Sequence, residues 1–451
     1  MLLSKSVSCH FGELSTPKAG RKRNYNRESH IFHSKFWEKV IFPRKNIFHK
    51  VVINRFVKNV YICEQKKTKD MIKDDESPFV FGVKVKGDAF TDRREETENL
   101  KMNFTYGVNT ILISPRRMGK TSLVDKVCSI VESDKIRIAR LDAFGCRSET
   151  DFVNAFATAV IRATSGKWEE WMENAKMFLS RFVPKISIGP DPLSDFSVSL
   201  EYNVDNKTTE EVLQLPEIIA KEKEIKIVVC IDEFQQIGDF PESLTFQKKL
   251  RSVWQHQSNV TYCLYGSKKH MMEKMFQNQS YPFYRFGDIF YLKKISEADW
   301  REYICRKFAS SGKSISPELA GKICEITDRY SSYVQQLAWF VWLRTDGAAT
   351  EDDLKYGTDR LLDACEPVFI QQTESLSSYQ MNFLHALADG IQTGFTQSSV
   401  LNTYRLGTPA NISRLKKSLT EKDLIAITAP HTIEITDPIL KLWLKKRVWK
   451  E

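Results

Sequence analysis

The pattern of apolar and polar positions predicts strands that alternate with helices in the first two thirds of the chain. A short apolar run, Thr110 to Ser114, leads into a loop, and helical spacing resumes from Ser122 to Val131. Residues 136–142 alternate, and residues 225–231 form a continuous β-branched run, as expected of a buried central strand. Strands alternating with helices favour a mostly parallel sheet that is covered on both faces.

Three further patterns predict smaller units. Residues 186–202 alternate on both sides of a Gly/Pro turn, which predicts a hairpin insertion at about residues 184–204. Residues 296–368 show helical spacing, so we expect an all-α unit there, termed the helical lid. Residues 369–451 hold several short helical patterns and a terminal alternation, which together predict a winged helix-turn-helix.

Length and composition are those of a folded protein with several domains. The 451 residues exceed one compact core, and two to four domains are expected. The nine cysteines form no C-x-x-C pair, which favours reduced thiols over disulfides or zinc. The sequence has neither an apolar stretch of bilayer length nor the apolar core of a secretory signal, so we expect a cytoplasmic protein without a membrane segment.

The positive charge is concentrated at the start of the chain. The net charge is +10, and residues 1–70 alone contain 16 Lys/Arg against 5 Asp/Glu. A basic arm that binds nucleic acid is one interpretation of this segment. We favour the other interpretation, in which residues 1–70 are an extension outside the working protein, disordered or preceding a true start at Met71.

The loop after the first apolar run predicts a phosphate site. Residues 114–121 read Ser-Pro-Arg-Arg-Met-Gly-Lys-Thr and match the P-loop pattern G-x-x-x-x-G-K-[ST], except that Ser114 replaces the first glycine. Gly119 permits close approach of the backbone, and the helix N-terminus directs N–H groups at phosphate oxygens. Lys120 is expected to bind the β- and γ-phosphates, and the hydroxyl of Thr121 to bind Mg²⁺. The competing interpretation is a strand-to-helix turn that contains Gly-Lys-Thr by chance.

Two carboxylates complete this prediction. The apolar run from Lys226 ends in Asp232 and Glu233, about 110 residues after the loop. In P-loop enzymes the first carboxylate holds magnesium, and the second orients or deprotonates the attacking water. We therefore expect residues 71–295 to form an α/β P-loop NTPase core with a mostly parallel sheet, followed by the all-α lid and the winged helix.

Two more residues have weaker candidate roles. Ser267 follows the next predicted strand, where a polar side chain would sense the γ-phosphate, although a simple turn explains Gly266-Ser267 equally well. Arg285 is a candidate arginine finger that stabilises transition-state charge, acting within its own chain or on a neighbouring subunit. The alternative for Arg285 is an ordinary surface arginine.

These motifs together resemble the prokaryotic AAA+/STAND-like P-loop ATPases of the archaeal type, in particular a version from Bacteroides-like bacteria. The resemblance covers residues 77 to about 445. The motifs that carry it are Ser77-Pro-Phe-Val-Phe-Gly82, Phe90-Thr-Asp-Arg93 with Glu96, Ile111 to Thr121, Ile231-Asp-Glu-Phe-Gln235, Gly266-Ser267, Pro282-Phe-Tyr-Arg285, Thr408 to Lys417 and Ile435-Thr-Asp-Pro438.

The resemblance implies an ATP-driven switch, with Phe90 and Arg93 on the adenine side of the site and ATP preferred over GTP. The chain departs from the family pattern at two places. Ser114 replaces the first glycine of the P-loop, and Tyr330-Ser331-Ser332-Tyr333 stands where the family often has a G-x-P turn. These departures weaken the prediction of hydrolysis more than the prediction of nucleotide binding. The full predicted nucleotide-contact set is Phe90, Arg93, Ser114, Pro115, Arg116, Arg117, Met118, Gly119, Lys120, Thr121, Ser122 and Ser267.

The second helix of the winged helix-turn-helix carries candidate contacts to a partner. Asn411, Arg414, Lys416 and Lys417 are candidates for phosphate or base contacts. Residues 401–451 hold 10 Lys/Arg against 5 Asp/Glu, which is compatible with DNA. Such modules also pack on their own core or bind protein, and these alternatives stay open.

Three functional hypotheses follow from the sequence. The first is a Mg²⁺-dependent ATPase in which hydrolysis drives a conformational switch, with Lys120, Glu233 and Arg285 as catalytic residues and Thr121 and Asp232 as metal ligands. The second is a nucleotide-gated DNA-binding or protein-interaction module with negligible hydrolysis. The third is a nucleotide-free scaffold with a decayed P-loop. A homo-oligomer is compatible with each.

Overall fold

The computed structural model describes residues 77–83, 90–165, 177, 185–189, 197–201, 206–428 and 432–450. The predicted basic extension, residues 1–70, and the expected start at Met71 lie outside these residues.

Among the described residues, seven strands precede the helical lid. They are β1 (Thr110–Ile113), β2 (Ile136–Asp142), β3 (Lys185–Gly189), β4 (Ser197–Glu201), β5 (Lys226–Asp232), β6 (Val260–Gly266) and β7 (Asp288–Tyr291). Five of them form one sheet in the order β2-β5-β6-β1-β7, with every neighbouring pair parallel. The other two, β3 and β4, pair antiparallel from Lys185 opposite Glu201 to Gly189 opposite Ser197.

Helices cover both faces of the parallel sheet. They are α1 (Arg94–Tyr106), α2 (Lys120–Val131), α3 (Glu149–Ala163), α4 (Asn206–Leu213), α5 (Leu215–Glu222), α6 (Ser243–Trp254) and α7 (Lys269–Gln277). Successive residues of β1 enter different cores, because strand side chains alternate between faces. Leu112 packs with α1 and α2, whereas Ile111 and Ile113 join the core under α3, α5, α6 and α7. This two-sided burial explains why the strands read as continuous apolar runs.

The helical lid consists of α8 (Glu297–Ser310), α9 (Pro317–Ile326), α10 (Ser331–Arg344) and α11 (Glu351–Thr373). Side chains fix three of these helix starts. Ser296 accepts a hydrogen bond from the Asp299 amide, Ser316 accepts one from the Leu319 amide, and Thr350 forms a capping box with Asp353. α11 continues through the boundary that we expected between residues 368 and 369.

The C-terminal unit has the elements of a winged helix. It contains α12 (Ser378–Ala388), α13 (Ser398–Thr403), α14 (Pro409–Glu421), β8 (Ile425–Thr428), β9 (Thr432–Ile435) and α15 (Pro438–Trp443). β8 and β9 pair antiparallel and form the wing. One hydrophobic core runs from the helical lid into this unit and also takes up Phe79 from the segment 77–83. Among the described residues, no helix is both long and apolar enough to cross a bilayer.

Candidate nucleotide site

The carboxyl ends of three strands bring the predicted site residues together. β1 leads into the phosphate loop (residues 114–119), β5 ends at Asp232, and β6 ends immediately before Ser267. The Ser114 amide donates a hydrogen bond to the Gly266 carbonyl at 3.3 Å, which fixes the start of the loop against the end of β6. Ligands of open α/β sheets bind at this edge.

The phosphate loop needs glycine at its end and not at its start. Gly119 has φ +86° and a Cβ there would meet nothing within 4 Å, so backbone conformation is what requires glycine. Ser114 is fully buried and is not among the residues with positive φ, and its hydroxyl donates to the Pro115 carbonyl at 3.1 Å. Serine is therefore compatible with the loop conformation at this position.

Lys120, Thr121 and the two carboxylates form one hydrogen-bonded cluster. The Lys120 Nζ lies 2.7 Å from the Glu233 Oε1 and 3.2 Å from the Asp232 Oδ1. The Thr121 hydroxyl donates to the Asp232 Oδ2 at 2.8 Å. A hydroxyl and a carboxylate oxygen are hard ligands that suit Mg²⁺, so this pair fits the metal that the sequence predicts.

The environment shifts the pKa values of the two carboxyls in opposite directions. Burial raises the pKa of Asp232 above its usual value, although Lys120 and Thr121 oppose this effect. Burial also acts to raise the pKa of Glu233, but the charge of Lys120 and the hydrogen bonds from Lys120, Gln235 and Ser267 outweigh it and lower that pKa to about 2. Glu233 is therefore ionised at neutral pH.

A cavity of about 230 Å³ extends from the phosphate loop to the segment Val80–Val83. Trp300 and Gln335 of the helical lid also line it. Eight of the predicted nucleotide contacts lie in its wall: Phe90, Arg93, Arg117, Met118, Gly119, Lys120, Thr121 and Ser122. The remaining four, Ser114, Pro115, Arg116 and Ser267, lie in the loop itself or beside Glu233.

Arg93 is buried and supports the phosphate loop from behind. Its guanidinium donates to the carbonyls of Met118, at 3.3 Å, and Lys293, and it pairs with Glu96 at 3.0 Å. Burial lowers the pKa of Arg93, and Glu96 offsets part of this effect. Phe90 also contacts α2: its ring centre lies 4.0 Å from the Lys126 Nζ. Arg93 thus connects the loop to the segment that precedes the helical lid.

Arg117 connects the phosphate loop to the winged helix. Its guanidinium lies 2.7 Å from the Asp437 Oδ2 and 4.8 Å from the centre of the Tyr333 ring. The Tyr333 hydroxyl donates to the same Oδ2 at 2.7 Å, while the Oδ1 caps α15 through the amides of Ile439 and Leu440. We call Arg117, Tyr333 and Asp437 the latch.

The turn that departs from the family pattern also contacts the loop. The Ser331 hydroxyl donates to the Met118 carbonyl at 3.2 Å, and the Ser332 amide donates to the Arg117 carbonyl at 3.0 Å. The Tyr330 hydroxyl donates to the Thr436 carbonyl at 2.7 Å. Neither spacing nor resemblance indicated a role for the side chains of Tyr333, Asp437 or Gln235. An Asp before Pro at a helix start is an N-cap signal, and Asp437 follows this pattern.

Arg285 does not join this cluster. It lies just before β7, and the Asp288 amide donates to the Asn109 carbonyl at 2.8 Å. Asn109 precedes β1, so Arg285 lies at the amino edge of the sheet, opposite the phosphate loop. It is exposed, and its guanidinium lies 5.3 Å from the Tyr284 ring centre.

The four candidate partner contacts on α14 differ in exposure. Asn411 donates to the Leu406 carbonyl at 3.0 Å and so stabilises the turn before the helix. Lys416 lies 5.6 Å from the Phe395 ring centre. Arg414 and Lys417 are exposed, and Lys417 lies 4.0 Å from Glu421 one turn along the same helix.

Comparisons with known proteins agree with this architecture. Residues 367–446 match a family model described as a probable winged helix domain. No curated protein matches the sequence. Among solved structures, the fold is similar to that of the Walker-type ATPase of Pyrococcus abyssi, with 17% identity, a TM-score of 0.59, and coverage of 81% of this chain and 99% of that chain.

The fold is also similar to that of the ORC2 protein of Aeropyrum pernix, solved as ADPNP–ADP complexes, with 14% identity and a TM-score of 0.52. That match covers 82% of this chain and 97% of the ORC2 chain. At these identities the likeness concerns the fold. The predicted fold class, a P-loop core with a mostly parallel sheet followed by a helical lid and a winged helix, is confirmed.

Proposed function

We propose that this protein is a Mg²⁺-dependent ATPase. The observation that carries the proposal is the cluster of Lys120, Thr121, Asp232 and Glu233 at the N-terminus of α2, beside a cavity of about 230 Å³. Each member has the chemistry that a phosphoryl-transfer site requires: a cation, a hydroxyl, a metal-binding carboxylate and a second carboxylate for water.

The roles follow from the contacts. Lys120 would transfer its hydrogen bonds from the carboxylates to the β- and γ-phosphates of ATP, and the α2 N-terminus would hold the same oxygens through its amides. Thr121 and Asp232 would hold Mg²⁺, which supplies charge neutralisation at the phosphates. Once Lys120 turns to phosphate, its charge lowers the pKa of Glu233 less, and Glu233 becomes a stronger base for the attacking water.

The choice of ATP rests on family resemblance. The motifs are similar to the AAA+/STAND-like, Bacteroides-type ATPases, and the ORC2 protein of similar fold was solved as ADPNP–ADP complexes. The free thiols of the described cysteines support a reducing, cytoplasmic setting for this activity.

The switch function is supported by the latch. Arg117 belongs to the phosphate loop, Tyr333 to the helical lid and Asp437 to the cap of α15, so the three units meet at the site of the phosphates. A bound γ-phosphate would compete with Asp437 for the guanidinium of Arg117, because both are anions and Arg117 lines the cavity beside the phosphate loop. Loss of the Arg117–Asp437 pair would then release the winged helix from the core.

Two Thr121 variants test the metal-dependent activity. Thr121→Val removes the hydroxyl at nearly constant volume, whereas Thr121→Ser keeps it and serves as the matched control. We expect phosphate release from Mg-ATP by the full chain to fall at least about tenfold in Thr121→Val relative to Thr121→Ser, because a metal ligand is lost. Equal rates in both variants, or equal rates with and without EDTA, would argue against a role of Thr121 in holding the metal.

A second candidate function is nucleotide-gated binding of DNA or protein with negligible hydrolysis. The observation that favours it is the exposed basic surface of α14, formed by Arg414 and Lys417. The ATPase and the binding module share the same nucleotide site. Measured hydrolysis of ATP distinguishes them, because only the ATPase releases phosphate at an appreciable rate.

A further inference from the structure

A buried glutamine, Gln235, contacts the proposed catalytic carboxylate of Glu233 and itself touches neither the phosphate loop nor Lys120 among the described contacts. The Gln235 Nε2 donates to the Glu233 Oε2 at 2.5 Å. The same Oε2 accepts the Ser267 hydroxyl at 2.7 Å and the Ser267 amide at 3.3 Å, whereas the Oε1 accepts Lys120. The two carboxylate oxygens therefore face different partners.

The burial of the Gln235 side chain leaves one of its polar atoms without a hydrogen bond from any described residue. Its side chain is 2% exposed, and its amide oxygen has no hydrogen-bond partner among the described residues. A buried amide oxygen without a hydrogen-bond partner is destabilising. Within the part of the chain that the structure describes, the N–H bond to Glu233 is the only polar contact of this side chain.

Gly266 provides the space that Gln235 occupies. A Cβ at position 266 would lie 1.9 Å from the Gln235 Oε1 and 2.9 Å from the Met272 Sδ. Gly266 is not among the glycines with positive φ, so its conformation does not require glycine. The close approach of Gln235 does require it, and the end of β6 is therefore shaped to admit this side chain.

The contacts of Glu233 with Lys120 and with the Ser267 hydroxyl are replaceable during a reaction. Lys120 has phosphate oxygens as alternative partners, and the Ser267 hydroxyl can rotate towards a γ-phosphate. The bonds from the buried Gln235 side chain and from the Ser267 backbone amide to the Oε2 persist, and the Gln235 bond, at 2.5 Å against 3.3 Å, is the shorter of the two. They leave the Oε1 directed to the place where Lys120 now lies.

We propose that Gln235 is a positioning residue, which holds the Oε2 of Glu233 so that the Oε1 faces the attacking water. This inference rests on the proposed function. Gln235 positions the base and Gly266 leaves space for Gln235, so both residues affect the rate of turnover and neither contributes to ATP binding.

Gln235→Met tests the inference, because methionine fills a similar volume without an N–H donor. Gln247→Met is the matched control: Gln247 is 1% exposed, its amide oxygen also lacks a partner among the described residues, and its Nε2 donates to Ser243 at 2.9 Å, not to a carboxylate. We expect the kcat of Gln235→Met to fall about tenfold or more with KM for ATP unchanged, because the base is misaligned. Gln247→Met should keep the wild-type kcat.

The split between kcat and KM separates positioning from mere packing. Lys120 from α2 and Asp232 from β5 both remain in the variant, so the groups proposed to bind phosphate and metal are kept. A purely structural role would lower the melting temperature and change the KM for ATP together with kcat.

Gly266→Ala is the second variant, because its Cβ displaces Gln235 and leaves both Glu233 and Ser267 intact. It should reproduce the low kcat with an unchanged KM for ATP. If the wild type turns over ATP and both variants keep its kcat, the inference is overturned and the proposed ATPase stands. If the wild-type protein does not hydrolyse ATP, the ATPase proposal is contradicted, and this inference falls with it.

Discussion

Lys120 forms ion pairs with two carboxylates, and the pair it forms with Glu233 is well shielded. The exposed fractions of the two side chains are 11% and 18%. Partly buried ion pairs of this kind are screened less by salt than exposed pairs are. The same charge that would bind phosphate thus also stabilises the folded protein, through the low pKa of Glu233.

This pKa predicts a pH-dependent stability. Glu233 titrates at about 2 in the fold against a usual value of 4.5, so it stabilises the protein fully above pH 4.5 and progressively less as pH falls towards 2. We expect the difference in free energy of unfolding between wild type and Glu233→Gln, measured by urea titration, to narrow from pH 7 to pH 3. If this difference in free energy of unfolding does not change with pH, the ion pair between Lys120 and Glu233 is contradicted.

Short local motifs explain why the residues of the nucleotide site could be predicted from the sequence. Gly119, Lys120 and Thr121 lie in one short loop, and Asp232 and Glu233 follow one strand, so local spacing carries the chemistry. Gln235 lay within a quoted motif, but its role depends on the space at Gly266, which no spacing reveals. Ser114 departs from the motif, and the structure shows that its position does not need the left-handed conformation of glycine.

Among the elements distant in sequence, α10 and α15 contact the phosphate loop through the residues at their starts. α10 begins at the turn whose Ser331 and Ser332 bind loop carbonyls, and α15 begins at Asp437 of the latch. Arg117 and Asp437 are 320 positions apart in sequence, and Tyr333 and Asp437 are 104 apart. Hydrophobic periodicity locates each helix but not the contact between such distant ends, so the latch could not be predicted.

Asp437→Asn tests the latch. Asparagine also caps helices well, so α15 should persist, while the charge pairing with Arg117 is lost. We expect faster hydrogen exchange over residues 432–450 and a changed affinity for ATP. Glu421→Gln is the control, because its pair with Lys417 is exposed and lies within one helix, where such pairs contribute about 0.3–0.5 kcal/mol. Exchange equal in the two variants would mean that the latch does not hold the winged helix.

For the whole molecule, the position of Arg285 bears on assembly. It lies at the amino edge of the sheet, far from the Lys120 cluster of its own chain, so a finger role requires a second copy. We expect Arg285→Ala and Glu233→Gln to be inactive separately and partly active when mixed, because a mixed interface pairs one intact finger with one intact base. Phosphate release from mixtures at several ratios measures this. Arg285→Ala with wild-type turnover would leave Arg285 as a surface residue.

The exposed basic face of α14 predicts salt-dependent DNA binding if the winged helix contacts DNA. Replacing Arg414 and Lys417 by alanine should weaken binding at all sequences and reduce the slope of log K against log salt by about 1 for each lost phosphate contact. Fluorescence anisotropy with duplex DNA at several salt concentrations gives the slope. An unchanged slope would favour a protein partner for this surface.

The central claim is that the cluster at the end of β5 hydrolyses ATP, and Glu233→Gln tests it most directly. Phosphate release from Mg-ATP should be measured for wild type and variant beside the increase in melting temperature that ATP produces in each. We predict that both proteins are stabilised by ATP, by roughly 2.7 kcal/mol at ~100 times the dissociation constant, and that turnover falls at least about 100-fold in the variant. Equal turnover in both proteins, or none in the wild type, would contradict the account.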